Sequence, residues 1–207
     1  QIVRFCVSNQ ITELDQRQER VVDSILDHYY GAIPANFNYK GKNYTPRSYC
    51  DEYLGLNPDD YLEITSYTHH PFYTRFVLED KYNWTGDAYW NVTLDDFISI
   101  TQNALNNGYS VGWDGDATDP GFNFNEGYAS LNNPPAGDQQ KARQKEFENQ
   151  STLLDHMMHI VGLVRQNGKT WYYVKNSWGQ TLNKTGGLLY MREDYFRLRT
   201  VAIIVNK

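Results

Sequence analysis

The sequence predicts an α+β fold, because segments with helical spacing and segments with strand composition both occur along its 207 residues. Apolar residues recur at helical spacing in Val21–Tyr29 and Leu94–Leu105. Two runs rich in Ile, Val and Tyr flank Asn167-Gly168, a dipeptide that tolerates the positive φ of a tight hairpin turn. Hydrophobic residues make up 40% of the chain, and many of them are tyrosine. This composition indicates a folded chain rather than a disordered one.

The first predicted helix lies near the start of the chain. Residues Thr12 to Asp15 resemble a capping box, and the stripe Val21–Tyr29 follows and ends at Gly31. We expect this stripe to face the core. Upstream of it, Ile2 to Val7 has the composition of a short strand.

Two further helices are predicted from their end signals. Thr45 and Pro46 open the first of them, with Thr as N-cap and Pro at the first helical position, and Gly55 closes it. Thr93 caps the second, which stops at Gly108. The apolar stripe of this second helix is predicted to pack on the core.

Domain organisation is predicted to be simple. We expect residues 1–207 to form a single domain, mainly helical over 1–56 and sheet-rich over 57–207. The charged stretch near 132–150 is interpreted as an insertion on the solvated surface. A net charge of -6 gives no basic surface for nucleic acid, and no apolar run approaches the length of a membrane span.

The hairpin brings two chemically complementary side chains together. It places His156, at the start of one strand, near Asn176, at the end of the other. An imidazole held by an amide needs a thiol to make a Cys-His-Asn hydrolase. Cys6 has neither the helix N-terminus nor the glycine-flanked setting of an activated thiolate, and Cys6 and Cys50 are each interpreted as a small buried hydrophobe or a surface thiol.

The two motifs of this hairpin resemble the papain family of cysteine peptidases. Asp155-His156 precedes an apolar strand, and Lys175 to Gly179 reads Lys-Asn-Ser-Trp-Gly. The stretch Tyr44 to Tyr61 is similar to the bleomycin-hydrolase and aminopeptidase C branch. By this resemblance the chain corresponds to the C-terminal half of such an enzyme, with an antiparallel barrel-like sheet and packed helices. The family's Gln and Cys-Trp motif is missing.

The resemblance implies a role for each site residue. His156 would be the base, and Asn176 would fix its ring. Trp178 would cover their hydrogen bond, and Asp155 would support the site. Three residues would line the substrate pocket: Gly112, Leu154 and Met157. No cofactor is implied.

The resemblance also implies partners. A separate N-terminal chain would supply the cysteine, and peptides or proteins would be the substrates. We expect endopeptidase activity from an open cleft, because no C-terminal arm follows Lys207. A homo-oligomer, such as a hexamer, is compatible with the family. The start at Gln1 favours a periplasmic or secreted protein over a cytoplasmic one. The alternative is a catalytically inactive papain-like subunit that binds peptides or has a structural role.

Metal chemistry is the remaining alternative. A hydrolase could use His69-His70 with nearby aspartates, but the pattern lacks the third and fourth ligands of a zinc motif. His156 and His159 lie three apart in a strand and therefore point to opposite faces. A set of three acids resembles a calcium loop without its glycine and glutamate: Asp114, Asp116 and Asp119. We therefore predict no metal site.

Overall fold

A computed structural model describes residues 15–207, and the chain divides into two compact units after Asn57. The predicted strand Ile2–Val7, the thiol of Cys6 and the start of the predicted capping box lie outside the described residues. Within residues 15–207, no helix is both long and apolar enough to cross a membrane.

The first unit begins with helix α1 (Gln16–Tyr30), which ends at Gly31. Its capping box runs from Asp15 to Gln18, three residues later than predicted, with each side chain bonded to the other's backbone N–H. The prediction that this helix faces the core is wrong. The apolar stripe is exposed at Val21, Ile25, Leu26 and Tyr29, and no residue of α1 is buried, because no described element of this unit covers the stripe.

A small hairpin follows, formed by β1 (Phe37–Tyr39) and β2 (Lys42–Tyr44). The predicted Thr45 cap and Gly55 stop are confirmed. Between them, helix α2 (Pro46–Ser48) continues as a π-helical segment, Tyr49–Leu54. Stacked and edge-on tyrosine rings join this segment to the hairpin: Tyr39, Tyr44, Tyr49 and Tyr53.

The second unit is built on a ten-stranded sheet within the described part of the chain. Its strands are β3 (Tyr61–Thr65), β4 (Arg75–Val77), β5 (Ala88–Asn91), β6 (Val111–Gly115), β7 (Phe122–Asn123), β8 (Tyr128–Ala129), β9 (His156–Gln166), β10 (Lys169–Lys175), β11 (Leu188–Arg192) and β12 (Thr200–Asn206). The spatial order is β4-β5-β3-β12-β6-β9-β10-β11-β8-β7. The pairs β3–β5 and β8–β11 are parallel, and the other pairs are antiparallel.

Three helices accompany the sheet: α3 (Leu94–Asn106), α4 (Gln139–Glu148) and α5 (Glu193–Arg199). The predicted Thr93 cap of α3 is confirmed, since its side chain accepts the N–H of Asp96. Phe97 of α3 and Phe196 of α5 pack with Trp113 and other buried apolar residues in one core cluster. This cluster anchors the strands that carry the site residues.

The predicted hairpin of β9 and β10 is confirmed. Asn167 and Gly168 both have positive φ, at 51° and 72°, as a tight turn of this kind requires. The register shifts once: Tyr173 pairs with Gly162, but Val174 pairs with Ile160. Val161 is therefore an extra residue, which is the signature of a β-bulge.

The interpretation of residues 132–150 as a solvated insertion is wrong for α4. Its Arg143 is 1% exposed, and the guanidinium donates hydrogen bonds of 2.9–3.0 Å to the carbonyl oxygens of Ser66, Arg197 and Val201. The cation also lies over the ring of Tyr67, 4.7 Å from its centroid. Three acceptors and an aromatic face compensate for lost hydration, so one face of a charged helix is buried here.

Candidate active site

The centre of the site is a hydrogen bond between an imidazole and an amide. Nε2 of His156 lies 2.8 Å from Oδ1 of Asn176. The same oxygen accepts the backbone N–H of Ser177 at 2.7 Å, which identifies it as the amide oxygen rather than the nitrogen. Nε2 of His156 therefore carries the ring proton, and Nδ1 is the nitrogen left for another partner.

The two residues are not register partners, because β9–β10 pairing stops at His159 and Lys175. His156 is instead paired with Gly115 of β6. Asn176 follows β10 directly, is 6% exposed, and donates its own backbone N–H to Gly187 at 3.0 Å. The imidazole and the amide are thus held by different neighbours and meet at the end of the hairpin.

Trp178 lies against the imidazole, with ring centroids 4.8 Å apart and ring planes 31° from parallel. Phe122 and Phe124 contact the indole edge-on, at 6.0 and 4.9 Å. These two phenylalanines were not predicted as site residues, although their alternation in Phe-Asn-Phe is visible in the sequence. Both phenylalanines therefore pack against the indole that contacts the imidazole.

Asp155 does not contact the imidazole. Its carboxylate accepts the backbone N–H of Ala117 at 2.9 Å and the hydroxyl of Thr118 at 2.8 Å. Its backbone N–H donates to Gly115 at 3.1 Å. Any support that Asp155 gives to the site therefore passes through the loop that follows β6.

His69 and His70, which were considered as metal ligands, form hydrogen bonds with Glu79 rather than with an aspartate. Nε2 of His69 lies 3.0 Å and Nε2 of His70 lies 2.6 Å from the carboxylate of Glu79. Burial alone would raise the pKa of Glu79, but hydrogen bonds from His70 and His69 lower it. Glu79 lies nine residues beyond His70, so only the fold reveals the cluster.

The protonation state of His69 does not suit zinc. Oε1 of Gln144 accepts the N–H of Thr68, so its Nε2 is the atom that faces Nδ1 of His69 at 2.9 Å. Nδ1 therefore accepts, and the ring proton lies on Nε2, where zinc would need a lone pair. The donor chemistry favours a hydrogen-bonded cluster over a metal site.

The acids of the calcium-like loop are also engaged by protein groups. Asp116 accepts the backbone N–H groups of Thr118 and Asp119, each at 2.8 Å. Asp119 forms an ion pair of 2.6 Å with Arg199. The carboxylates of this loop therefore organise the turn itself.

The Peptidase C1-like family matches residues 27–207. The chain belongs to the Peptidase C1-like family. No curated protein shows significant sequence similarity to this chain. The resemblance to papain-like cysteine peptidases of the bleomycin-hydrolase branch is confirmed at the level of family and fold, as is the predicted α+β class.

Among solved structures, PepW from Lactobacillus rhamnosis HN001 (DR20) matches with a TM-score of 0.72 and 20% identity. The match covers 99% of this chain and 51% of that one, so the Peptidase C1-like chain spans about half the length of this relative. Procathepsin L2 from Tenebrio molitor matches with a TM-score of 0.35 and 22% identity, over 55% of this chain and 31% of that one. Bromelain from Ananas comosus matches with a TM-score of 0.33 and 18% identity, over 51% of this chain and 43% of that one.

The three residues expected to line the substrate pocket occupy different settings in this Peptidase C1-like chain. Met157 is half-exposed, whereas Leu154 is 5% exposed and packs in a second buried cluster with Tyr67. Gly112 lies opposite Ile204 in the register of β6 and β12. Leu154 also lines a cavity of about 380 Å³, of which neither Gly112 nor Met157 is a lining residue.

An acid with a raised pKa lies on the same strand as Gly112. Burial and the negative charges of Asp80 and Glu63 together raise the pKa of Asp114 to about 7. Asp114 is the register partner of Met157 in β9. Its ionisation near neutral pH was not predicted, because the acids that surround it come from distant parts of the sequence.

Proposed function

We propose that this chain is the histidine- and asparagine-bearing half of a cysteine peptidase that hydrolyses peptide bonds by a Cys-His-Asn mechanism. The observation that carries the proposal is the hydrogen bond between His156 and Asn176, which leaves Nδ1 of the imidazole free. Membership in the Peptidase C1-like family supports it, because a ring held in this way is what a thiol nucleophile requires.

The chemistry follows from the two ring nitrogens of His156. Nδ1 takes the thiol proton, and the thiolate attacks the carbonyl carbon of the scissile bond. The imidazolium then returns the proton to the leaving amine as the carbon–nitrogen bond breaks, which leaves an acyl-enzyme. With Nδ1 as base, water hydrolyses this thioester and regenerates the thiol.

Asn176 and Trp178 would keep the ring in its productive orientation during this cycle. The amide oxygen accepts the Nε2 proton throughout, so rotation of the ring would break its hydrogen bond to a buried amide. The indole, which contacts the imidazole, would restrict rotation of the ring on one side. Neither residue takes up or releases a proton.

The nucleophile is proposed to come from a segment outside this chain, such as a separate N-terminal chain. Cys50 lies within the π-helical segment, and its thiol donates to the backbone carbonyl oxygen of Leu56 at 3.2 Å rather than to an imidazole. The chain also spans about half the length of PepW. A segment with the Cys-Trp motif would complete the set.

The test uses the full-length protein, or this chain together with its cysteine-bearing segment, and a thiol-directed peptide inhibitor. We expect His156→Ala to reduce both turnover and labelling by at least about 100-fold. His159→Ala is the matched control, since His159 is an exposed residue of the same strand. Equal labelling of the wild-type protein and the His156→Ala variant would contradict the proposed role of His156.

A catalytically inactive subunit that binds peptides is the second candidate. It predicts that peptides bind without cleavage even when the upstream segment is present. Endopeptidase action is tested separately with a substrate blocked at its N-terminus. Trimming of free N-termini without cleavage of the blocked substrate would indicate an exopeptidase.

A further inference from the structure

We propose that Asp116 is a positioning residue for His156. Together with Thr118 and Asp155 it forms a hydrogen-bonded unit, the Asp116 clasp, that holds the first residue of β9 in place. The inference rests on the proposed function in one respect, since it takes His156 as the base. Asp116 does not contact the imidazole, so its role is to position and not to react.

The carboxylate of Asp116 bridges two segments that are far apart in sequence. It is 2% exposed. Oδ1 accepts the backbone N–H groups of Thr118 and Asp119, and Oδ2 accepts the backbone N–H of Leu153 at 3.1 Å. One side chain therefore joins the loop after β6 to a residue only three positions before His156.

Asp155 closes the clasp from the other side. Its Oδ1 accepts the N–H of Ala117 at 2.9 Å. The hydroxyl of Thr118 lies 2.8 Å from Oδ2 of Asp155 and 3.1 Å from Oδ1 of Asp116. A hydroxyl has one proton to donate, so the two carboxylates share it, and this keeps both of them turned toward the same loop.

The clasp is also fixed to the core. The buried hydroxyl of Tyr195 donates to the carbonyl oxygen of Asp116 at 2.7 Å, and the N–H of Asp116 donates to Arg199 at 2.9 Å. Tyr195 is fully buried in the main core cluster. The loop can therefore shift only if residues of α5 shift with it.

The position of His156 in the sheet explains why such a clasp would matter. His156 is the first residue of β9, and β10 no longer pairs with β9 at that point. The backbone there depends on β6 alone, and a strand end with one neighbour is prone to fraying. By holding Leu153 and Asp155, the clasp fixes the chain on the N-terminal side of the ring.

The first test is Asp116→Asn. The amide retains an oxygen for Thr118 and Asp119 but turns an NH2 group toward the N–H of Leu153, so that link is lost. We expect NMR to show faster solvent exchange of the Nε2 proton of His156, and kcat to fall about 10- to 100-fold with KM changed less than about threefold. The NMR measurement needs no activity, so it remains informative if the peptidase proposal fails.

Asp119→Asn is the matched control. It weakens the ion pair with Arg199 in the same loop but leaves the bond to Leu153 intact. A merely structural role for the loop predicts that both variants affect the His156 proton in proportion to their loss of stability. If the two variants have the same free energy of unfolding and the Nε2 proton of His156 exchanges equally fast in both, the proposal is overturned.

A second pair of variants examines the shared hydroxyl. Thr118→Val removes it at nearly constant shape, whereas Thr118→Ser retains it. We expect the valine variant to speed exchange of the His156 proton at least about threefold, and the serine variant to behave as wild type. Indistinguishable valine and serine variants would contradict a role for the clasp in holding the ring.

Discussion

Gly115 is the register partner of His156, and a Cβ atom built on Gly115 would overlap the carbonyl oxygen of Arg199. The strand that supports the imidazole therefore passes close to the end of α5, at a distance that only a glycine permits. The backbone of this region is packed as tightly as a side-chain core.

Replacement of this glycine is the first prediction. Gly115→Ala should lower the free energy of unfolding by about 3 kcal/mol, because the added methyl group meets rigid backbone. Urea denaturation measures the effect. Gly162→Ala is the control: its Cβ would find only Tyr173, at 3.9 Å, and should change stability by less than about 0.5 kcal/mol. If both variants lose similar free energy of unfolding, the backbone at residue 115 has moved away from the carbonyl oxygen of Arg199, and the prediction is wrong.

Loss of the amide is the second prediction. Asn176→Ala removes the acceptor of the Nε2 proton, so the ring is free to rotate and change tautomer. In the complete enzyme we expect kcat/KM to fall about 100-fold. Asn125→Ala, at an exposed asparagine, should leave it unchanged. If removal of Asn176 leaves kcat/KM intact, the amide has no part in orienting the imidazole.

The buried guanidinium gives the third prediction. Arg143→Met should destabilise the protein by about 3–5 kcal/mol, because three buried carbonyl groups lose their donors. Lys145→Met, on the exposed side of the same helix, should change stability by less than about 0.5 kcal/mol. Thermal unfolding of the two variants side by side decides whether α4 belongs to the core.

The raised pKa of Asp114 gives the fourth prediction. Its carboxyl group has an ordinary pKa of 3.8 when unfolded and about 7 when folded. Between these values the folded state binds the extra proton, so the free energy of unfolding falls as pH rises, by at most about 1.4 kcal/mol per pH unit. Asp114→Asn should flatten this slope and be the more stable protein above pH 7. Urea titrations at pH 5 and pH 8 provide the measurement, and parallel curves for both proteins would contradict the shift.

Local signals made much of this fold predictable. The Asn167-Gly168 turn, the Thr45 and Thr93 caps and the Gly55 stop depend on residues within a few positions of each other, and the structure confirms them. The proximity of His156 and Asn176 followed from the same hairpin. Their catalytic roles remain a proposal.

Features that depend on distant residues were not predictable. Helical spacing marked the stripe on α1 but could not show that nothing described in its unit covers it. The charged residues of α4 indicated a helix exposed to solvent. The burial of Arg143 was not predictable, because two of the carbonyl groups that accept its hydrogen bonds belong to residues more than 50 positions away. In the same way, only the fold brings Glu79 to His69 and His70.

The extra residue in β9 also determines which side of the sheet presents the imidazole. Val161 has no partner, and for that reason Ile160 and Val174 lie opposite one another with both side chains in the core. In an unbroken ladder Val161 would oppose Val174 and face the core, so Ile160, Met158 and His156 would turn to the outer face. A one-residue irregularity six positions from the nearest turn thus places the imidazole on the same face of the sheet as the core residues of β9.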